Sequence, residues 1–296
     1  LLTGYGGYLN LAPLAFAGLG ALIIGKLGTT SPYSFVVAAA LAGAVGAVLG
    51  LLAIRLGTLY LAIATLAFAE LVDYVIFNAD IGFQGGANVV VKRPNLFGLS
   101  VSSEQRYAVF AAVVFVLLGL MVLAIRRGRY GRLLIALRDS PAACGTLGLN
   151  LTLTRVAVFA LSSAMAGFAG AMYAFQAVSY GEVNFTFIQN LPVVLMAVVG
   201  GITSISGAAL GGLVLTALLR GPHLVQQWSS ISIGAAAIVL GRNPNGLISY
   251  AFKAGRFAQG LVTKGSGSSV PNQGADTDAD RPDVSGREEV IVGGPA

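Results

Sequence analysis

Apolar stretches near the length that crosses a bilayer, about 20 residues, follow one another almost without pause from the start of this chain to about residue 241. No other feature limits the fold so strongly. Apolar residues make up 56% of the 296 and charged residues only 10%, where soluble domains run near 45–50% and about 25%. An ordinary soluble core cannot hide that much apolar surface, so the excess must face lipid. The expected fold is an all-α integral membrane protein, a multispan helical bundle.

Candidate spans fall at 11–28, 35–54, 58–77, 106–125, 155–176, 187–203, 206–221 and 224–241, about eight transmembrane helices. The stretches 187–203 and 206–221 are short and joined only by Ser204 and Ile205. They read as a tight helical hairpin or a partly re-entrant pair. Residues 1–264 form the expected membrane domain. From Gly265 to Ala296 the chain is polar and rich in Gly, Ser, Pro and Asp. Such a tail cannot bury enough apolar surface to fold, and disorder is expected.

Charge placement sets the orientation. Residues 1–264 carry 16 Lys and Arg against 6 acids, and the tail carries 2 Arg against 6 acids. The basic residues sit at the ends of apolar runs, as the positive-inside rule requires, so a membrane and not nucleic acid explains the basic balance. Residues 126–155 hold Arg126, Arg127, Arg129, Arg132, Arg138 and Arg155 with one acid, Asp139, and are assigned to the cytoplasm. Counting outward, Arg55 falls inside, and the loops at 78–105 and 177–186 fall outside. The C-terminus, after Arg242, Lys253, Arg256 and Lys264, falls in the cytoplasm. Lys92 and Arg93 in the outer loop run mildly against the bias.

The spans are rich in small residues at helical spacing: Gly43, Gly46 and Gly50; Gly167 and Gly170; Gly207 and Gly211. Small residues let helix backbones approach closely, which packing in lipid needs.

Signatures of chemistry are missing from the sequence. There is no G-x-x-x-x-G-K-[ST] loop for ATP, no H-E-x-x-H or Cys/His set for a metal, and no G-x-S-x-G elbow. The single histidine, His223, stands beside Pro222 in a loop and reads as a solvated or interface residue. The single cysteine, Cys144, rules out an intrachain disulfide. No enzyme is expected, and no cofactor in this chain. Glu70 and Asp73 are acids within the third span. Ionisable groups there are functional candidates by default, but both lie near the outer end, where water reaches. Asn184, Gln189 and Asn190 flank the sixth span, where bonding to a neighbouring helix explains them as readily as ligand contact.

The cytoplasmic segment is the most informative local feature. Tyr130 to Leu137 can form an amphipathic helix with a basic face. Asp139 is a reasonable N-cap for a fresh start at Pro141. Ala142, Ala143 and Cys144 then offer a small-residue surface, ended by Gly145 and Gly148. Two readings stand at this point. One is docking into a groove on another protein. The other is a surface helix whose arginines touch anionic headgroups.

Four stretches, in order, resemble one known family. They are GYGGYLNLAPLAFAGLGAL at 4–22, LGTLYLAIATLAFAEL at 56–71, RYGRLLIALRDSPAACGTLGLN at 129–150 and VVLMAVVGGITSISGAALGG at 193–212. The chain is similar to the permease subunits of branched-chain amino acid (leucine/isoleucine/valine) ABC importers. It departs from the pattern at Asn10, Pro13 and Thr203. The family usually has about two further spans before the first motif, so a complete subunit of about ten is expected. The long polar tail is not a family feature.

The resemblance implies a multi-pass protein of a bacterial plasma (inner) membrane. It implies pairing with a second homologous permease, two ATPase subunits that hold ATP and Mg, and an extracytoplasmic substrate-binding protein. Residues 130–150 would be the coupling helix, with Arg138, Asp139, Ala143, Cys144 and Gly148 at the ATPase contact. Asn10, Pro13, Glu70, Gly200, Gly201 and Gly207 are candidates for the pathway or its packing. The expected motion is a rigid-body rocking between outward- and inward-open states. Related permeases carry urea, short amides or sugars, and these remain alternatives. An ion-coupled secondary transporter is a more distant one, because it needs carboxylates or broken helices at mid-membrane.

Overall fold

The computed structural model describes residues 2–220 apart from 9, 29–30, 53–55, 80–81, 84–87, 92–94, 97–98, 101–102, 141–143, 146–149, 178 and 201–204. The expected span at 224–241, His223, the tail, Lys92, Arg93, Ala143, Gly148 and Gly201 lie outside the described residues.

Helices dominate. A short α1 (Leu2–Gly6) is followed by α2 (Pro13–Leu27), α3 (Tyr33–Leu52) and α4 (Thr58–Leu71), which runs on as a π-helical turn over Val72–Phe77. Then come α5 (Glu104–Arg127), α6 (Arg129–Asp139), α7 (Leu151–Ala177), α8 (Phe187–Gly200) and α9 (Ile205–Arg220). Two-residue strands in the connections pair antiparallel, β1 (Val89–Val90) with β4 (Ser179–Tyr180), and β2 (Asn95–Leu96) with β3 (Leu99–Ser100).

Four of these helices, Tyr33–Leu52, Leu59–Phe77, Glu104–Arg127 and Leu151–Ala177, are long and apolar enough to cross a membrane. The sequence places three more spans among the described residues, at 11–28, 187–203 and 206–221. They are helical but shorter, at 15, 14 and 16 residues. At 1.5 Å per residue such helices reach roughly 21–24 Å, less than the ~30 Å hydrocarbon core. The first is short because helix starts only at Pro13, after non-helical Leu11 and Ala12.

Glycine governs the packing. At the α2–α7 crossing, Gly20 lies on the backbone of Gly167, and Gly170 lies on the carbonyl of Ala17, with no room for a Cβ at either. On the α3–α7 face, Gly46 sits against Ser163 and Gly50 against Val156. This is the small-residue packing the sequence predicts. It replaces the hydrophobic drive that lipid removes. Outside, α5 shows Val109, Val113, Val116, Leu117 and Leu120 to the surroundings, and α3 shows Val36, Leu41 and Val48. Exposed apolar rows of that extent mark a lipid-facing surface.

An aromatic cluster closes the end of the bundle where the 179–186 connection packs. Phe77, Phe83, Tyr180 and Phe185 lie with ring centroids 5.4–6.3 Å apart. Tyr180 donates its hydroxyl to the Ala21 carbonyl at 2.8 Å. Burial pushes its phenol well above the ordinary range, which keeps that donor protonated.

Candidate functional site: a broken helix and the cavity beside it

The first span expected from the sequence, 11–28, is α2, and the non-helical stretch that separates it from α1 has its own hydrogen bonds. Gly7 ends α1 with φ at +71°, the left-handed conformation glycine adopts without strain. The Tyr8 N–H then reaches back to the Leu2 carbonyl at 3.3 Å, a bond of the type that closes helix C-termini. The Asn10 side chain accepts from the Ala12 N–H at 2.9 Å, a local turn. Pro13 opens α2 at the helix start, where its missing N–H is harmless.

Two distant helices complete the set. Thr65 of α4 accepts from the Leu11 N–H at 3.0 Å and passes its own proton to the Ala62 carbonyl at 2.9 Å. Asn190 of α8 accepts from the Leu14 N–H at 2.7 Å. Both side chains are buried. Non-helical backbone at membrane depth persists only where protein or a water-filled cavity satisfies it. The break therefore has side chains assigned to its donors and is a designed element of this fold. The Asn190 amide nitrogen, also buried, has no hydrogen-bond partner.

Beside the start of α2 lies a cavity of about 410 Å³. Pro13, Leu14, Ala17, Ala166 and Val193 give it apolar walls, and Tyr173, Asn184 and Gln189 line it with neutral polar groups. Those groups are mutually held. Asn184 donates to the Tyr173 hydroxyl at 3.1 Å and accepts from the Gly181 N–H at 3.1 Å. Gln189 donates to the Val183 carbonyl at 3.3 Å. Among the described residues, none that lines the cavity is charged. Such a space accepts an apolar solute with a polar end but has no ion to grip a zwitterion.

The two acids of the third span separate. Glu70 is exposed on α4. Asp73 is partly buried and accepts from the Phe187 N–H at 3.0 Å, capping α8. Its other carboxylate oxygen is buried without a partner.

In the 126–155 segment, α6 buries Gly131, Leu134 and Leu137 and exposes Arg129, Tyr130, Arg132 and Asp139, the amphipathic helix read from 130–137. Arg138 donates through one guanidinium nitrogen to the Gly4 carbonyl of α1 at 2.9 Å. Cys144 is buried, and its N–H meets the Ser140 carbonyl at 3.3 Å. Gly200 ends α8, and Gly207 is buried in the first turns of α9. Residue patterns gave no sign of Thr65 or of the Arg138–Gly4 bond. Thr65 is the sole aliphatic hydroxyl between Leu59 and Val72, and nothing in that stretch points to its partner.

The family model for the permease component of the branched-chain amino acid transport system matches residues 1–241. The chain belongs to this family. It is 29% identical over 265 residues to the high-affinity branched-chain amino acid transport system permease protein LivM of Salmonella typhimurium, covering 81% of this chain and 61% of that protein. The Escherichia coli LivM is 28% identical over the same shares. A probable branched-chain amino acid transport permease protein LivM of Methanocaldococcus jannaschii is 29% identical over 212 residues, 68% of this chain and 56% of the relative. The chain thus spans about three-fifths of the length of the curated relatives it matches. No solved structure matches it significantly. As a member of this permease family with long apolar helices, the chain is a membrane protein.

Proposed function

We propose that this chain is a permease subunit of an ATP-driven importer that moves branched-chain or related apolar amino acids across a bacterial plasma membrane. The observation that carries the reading is the neutral, mostly apolar cavity at the start of α2, set against a helix break whose donors are already satisfied. An apolar side chain fits its walls. The lack of charge makes it a place of passage and not of retention, so affinity belongs to a delivering protein outside.

On this reading, eight spans of this chain cross the bilayer, with 224–241 the last and the C-terminus cytoplasmic. A second permease completes the pathway. Two ATPase subunits dock at residues 130–150 and supply ATP and Mg chemistry, which this chain has no P-loop to perform. Closure of the ATPase pair pushes on Asp139, Ala143, Cys144 and Gly148. The bundle answers by rocking between two packed arrangements.

The test is uptake in vesicles that contain the full importer. ATP-dependent accumulation of labelled leucine, abolished when the ATPase is left out, supports the reading. Uptake of urea, short amides or sugars in preference to leucine would move the chain to another branch of the same class. Uptake on an ion gradient alone would overturn the ABC assignment.

A further inference from the structure

Gly4–Tyr8 is held from two sides. From α6, the Arg138 guanidinium donates to the Gly4 carbonyl at 2.9 Å. From α7, the Arg155 guanidinium lies 5.6 Å from the Tyr8 ring centre. Arg138 and Arg155 flank residues 139–154, a stretch that overlaps the 130–150 surface proposed above to meet the ATPase. We infer that these two arginines strap the short first helix to both ends of that segment, so that α1 and the break move with it.

The chemistry supports a specific grip. The Gly4 carbonyl lies in the last turn of α1, where helix geometry leaves acceptors without an intrahelical donor. Gly4 is buried, and a buried acceptor left unmet costs free energy. A guanidinium supplies a charge-assisted bond and favours the negative end of a helix. The Arg138 stem passes so close to Gly7 that a Cβ there would stand 2.9 Å from its Cγ. Gly7 therefore serves twice, once for its positive φ and once for the room it gives Arg138. On the other side, the Tyr8 ring rests near Phe159, centroids 6.1 Å apart, with its face offered to Arg155.

Beyond Tyr8, the described backbone is held again. Asn10–Ala12 form the break, Thr65 and Asn190 hold its donors, and Pro13, Leu14 and Ala17 wall the cavity. A displacement passed to α1 would reach that wall through backbone held at Leu11, Ala12 and Leu14. Arg138 is then a positioning residue for transport, acting through α1. This inference rests on the permease reading but not on which amino acid is carried.

The experiment uses the complete importer in proteoliposomes, with ATP turnover and leucine uptake measured on the same sample. Arg138→Ala should lower uptake per ATP hydrolysed about tenfold, the scale of one charge-assisted hydrogen bond. Arg138→Lys should recover part of the loss. Gly7→Ala, which changes no charge and nothing between 139 and 154, should uncouple in the same way. In parallel, amide hydrogen exchange of residues 2–12 in nanodiscs should speed up in Arg138→Ala. Normal coupling in both Arg138→Ala and Gly7→Ala overturns the strap. So does unchanged exchange, whether or not transport is seen. Loss of ATPase binding in Arg138→Ala with normal Gly7→Ala would make Arg138 a docking contact instead. A wild-type importer without ATP-dependent uptake would count against the permease reading alone, and the exchange result would still decide the strap.

Discussion

The Asp73 carboxylate accepts the Phe187 N–H at 3.0 Å, so an acid near the end of one membrane helix caps the start of another, 114 residues later in the chain. The π-helical turn over Val72–Phe77 contains Asp73. Its extra residue per turn is a common feature at functional or strained sites. The contact gives Asp73 a structural task that Glu70, exposed three residues earlier, does not share.

Replacing Asp73 tests that task. Asp73→Ala should destabilise the protein by about 0.5–2 kcal/mol, the usual value of a lost helix cap. Asp73→Asn keeps an acceptor oxygen and should recover most of it. Glu70→Gln should change little. Thermal unfolding in detergent, followed by size-exclusion, reads all three. If Asp73→Asn retains ATP-driven uptake, the acid is not a proton or ion carrier.

The break between α1 and α2 makes a second prediction. Thr65→Val and Asn190→Leu each remove the acceptor for one buried N–H, of Leu11 and Leu14 respectively. Each should cost about 1–3 kcal/mol, because an unmet donor loses its full solvation. Thr65→Ser should be close to neutral. Stability of the purified variants, with circular dichroism to confirm that the helices persist, checks the ranking. Equal stability of Thr65→Val and Thr65→Ser would show that the hydroxyl is not what holds the break.

Much of the helical layout was legible because apolar run length and glycine spacing report directly on lipid contact and backbone approach. The run 106–125 reads straight into α5, and Gly167 and Gly170 into the crossing with α2. The break was not legible. Asn10 and Pro13 could be read only as departures from a motif, because their effect depends on Thr65 and Asn190, which are distant in sequence. A periodicity argument sees residues three or four apart and not 54 or 176 apart. The Arg138–Gly4 bond was hidden for the same reason. Sequence shows an arginine on a polar face, and only the fold shows the Gly4 carbonyl within its reach.

The α2–α7 crossing supplies a third prediction. Gly170 meets the Ala17 carbonyl and Gly20 meets the Gly167 backbone, leaving no space for a side chain. Gly170→Val must push two backbones apart, and overpacking of this kind typically costs about 1–3 kcal/mol. Backbone cannot yield as a flexible side chain would, so the upper end is expected here. Gly28, which has nothing near its Cβ position but a φ of +55°, is a useful contrast. Gly28→Asn should be tolerated, since Asn enters that conformation readily. The yield of folded protein in the membrane fraction compares the two.

The cavity gives the last prediction. Val193 contributes to its apolar wall, and Tyr173 to its polar lining. Val193→Trp adds bulk into a space of about 410 Å³ while leaving the break, the α8 cap and α6 unaltered. Uptake should fall about tenfold or more while ATPase assembly stays normal, since one bulky ring at a constriction can add more than 1.4 kcal/mol to the barrier. Tyr173→Phe removes the hydroxyl that accepts from Asn184. It frees the Asn184 amide to turn, and should alter preference among solutes more than overall rate. Competition between leucine, valine and small polar amides reads that change. If Val193→Trp transports leucine at the wild-type rate, the solute does not pass through this space, and the pathway must then be sought on the face that meets the second permease.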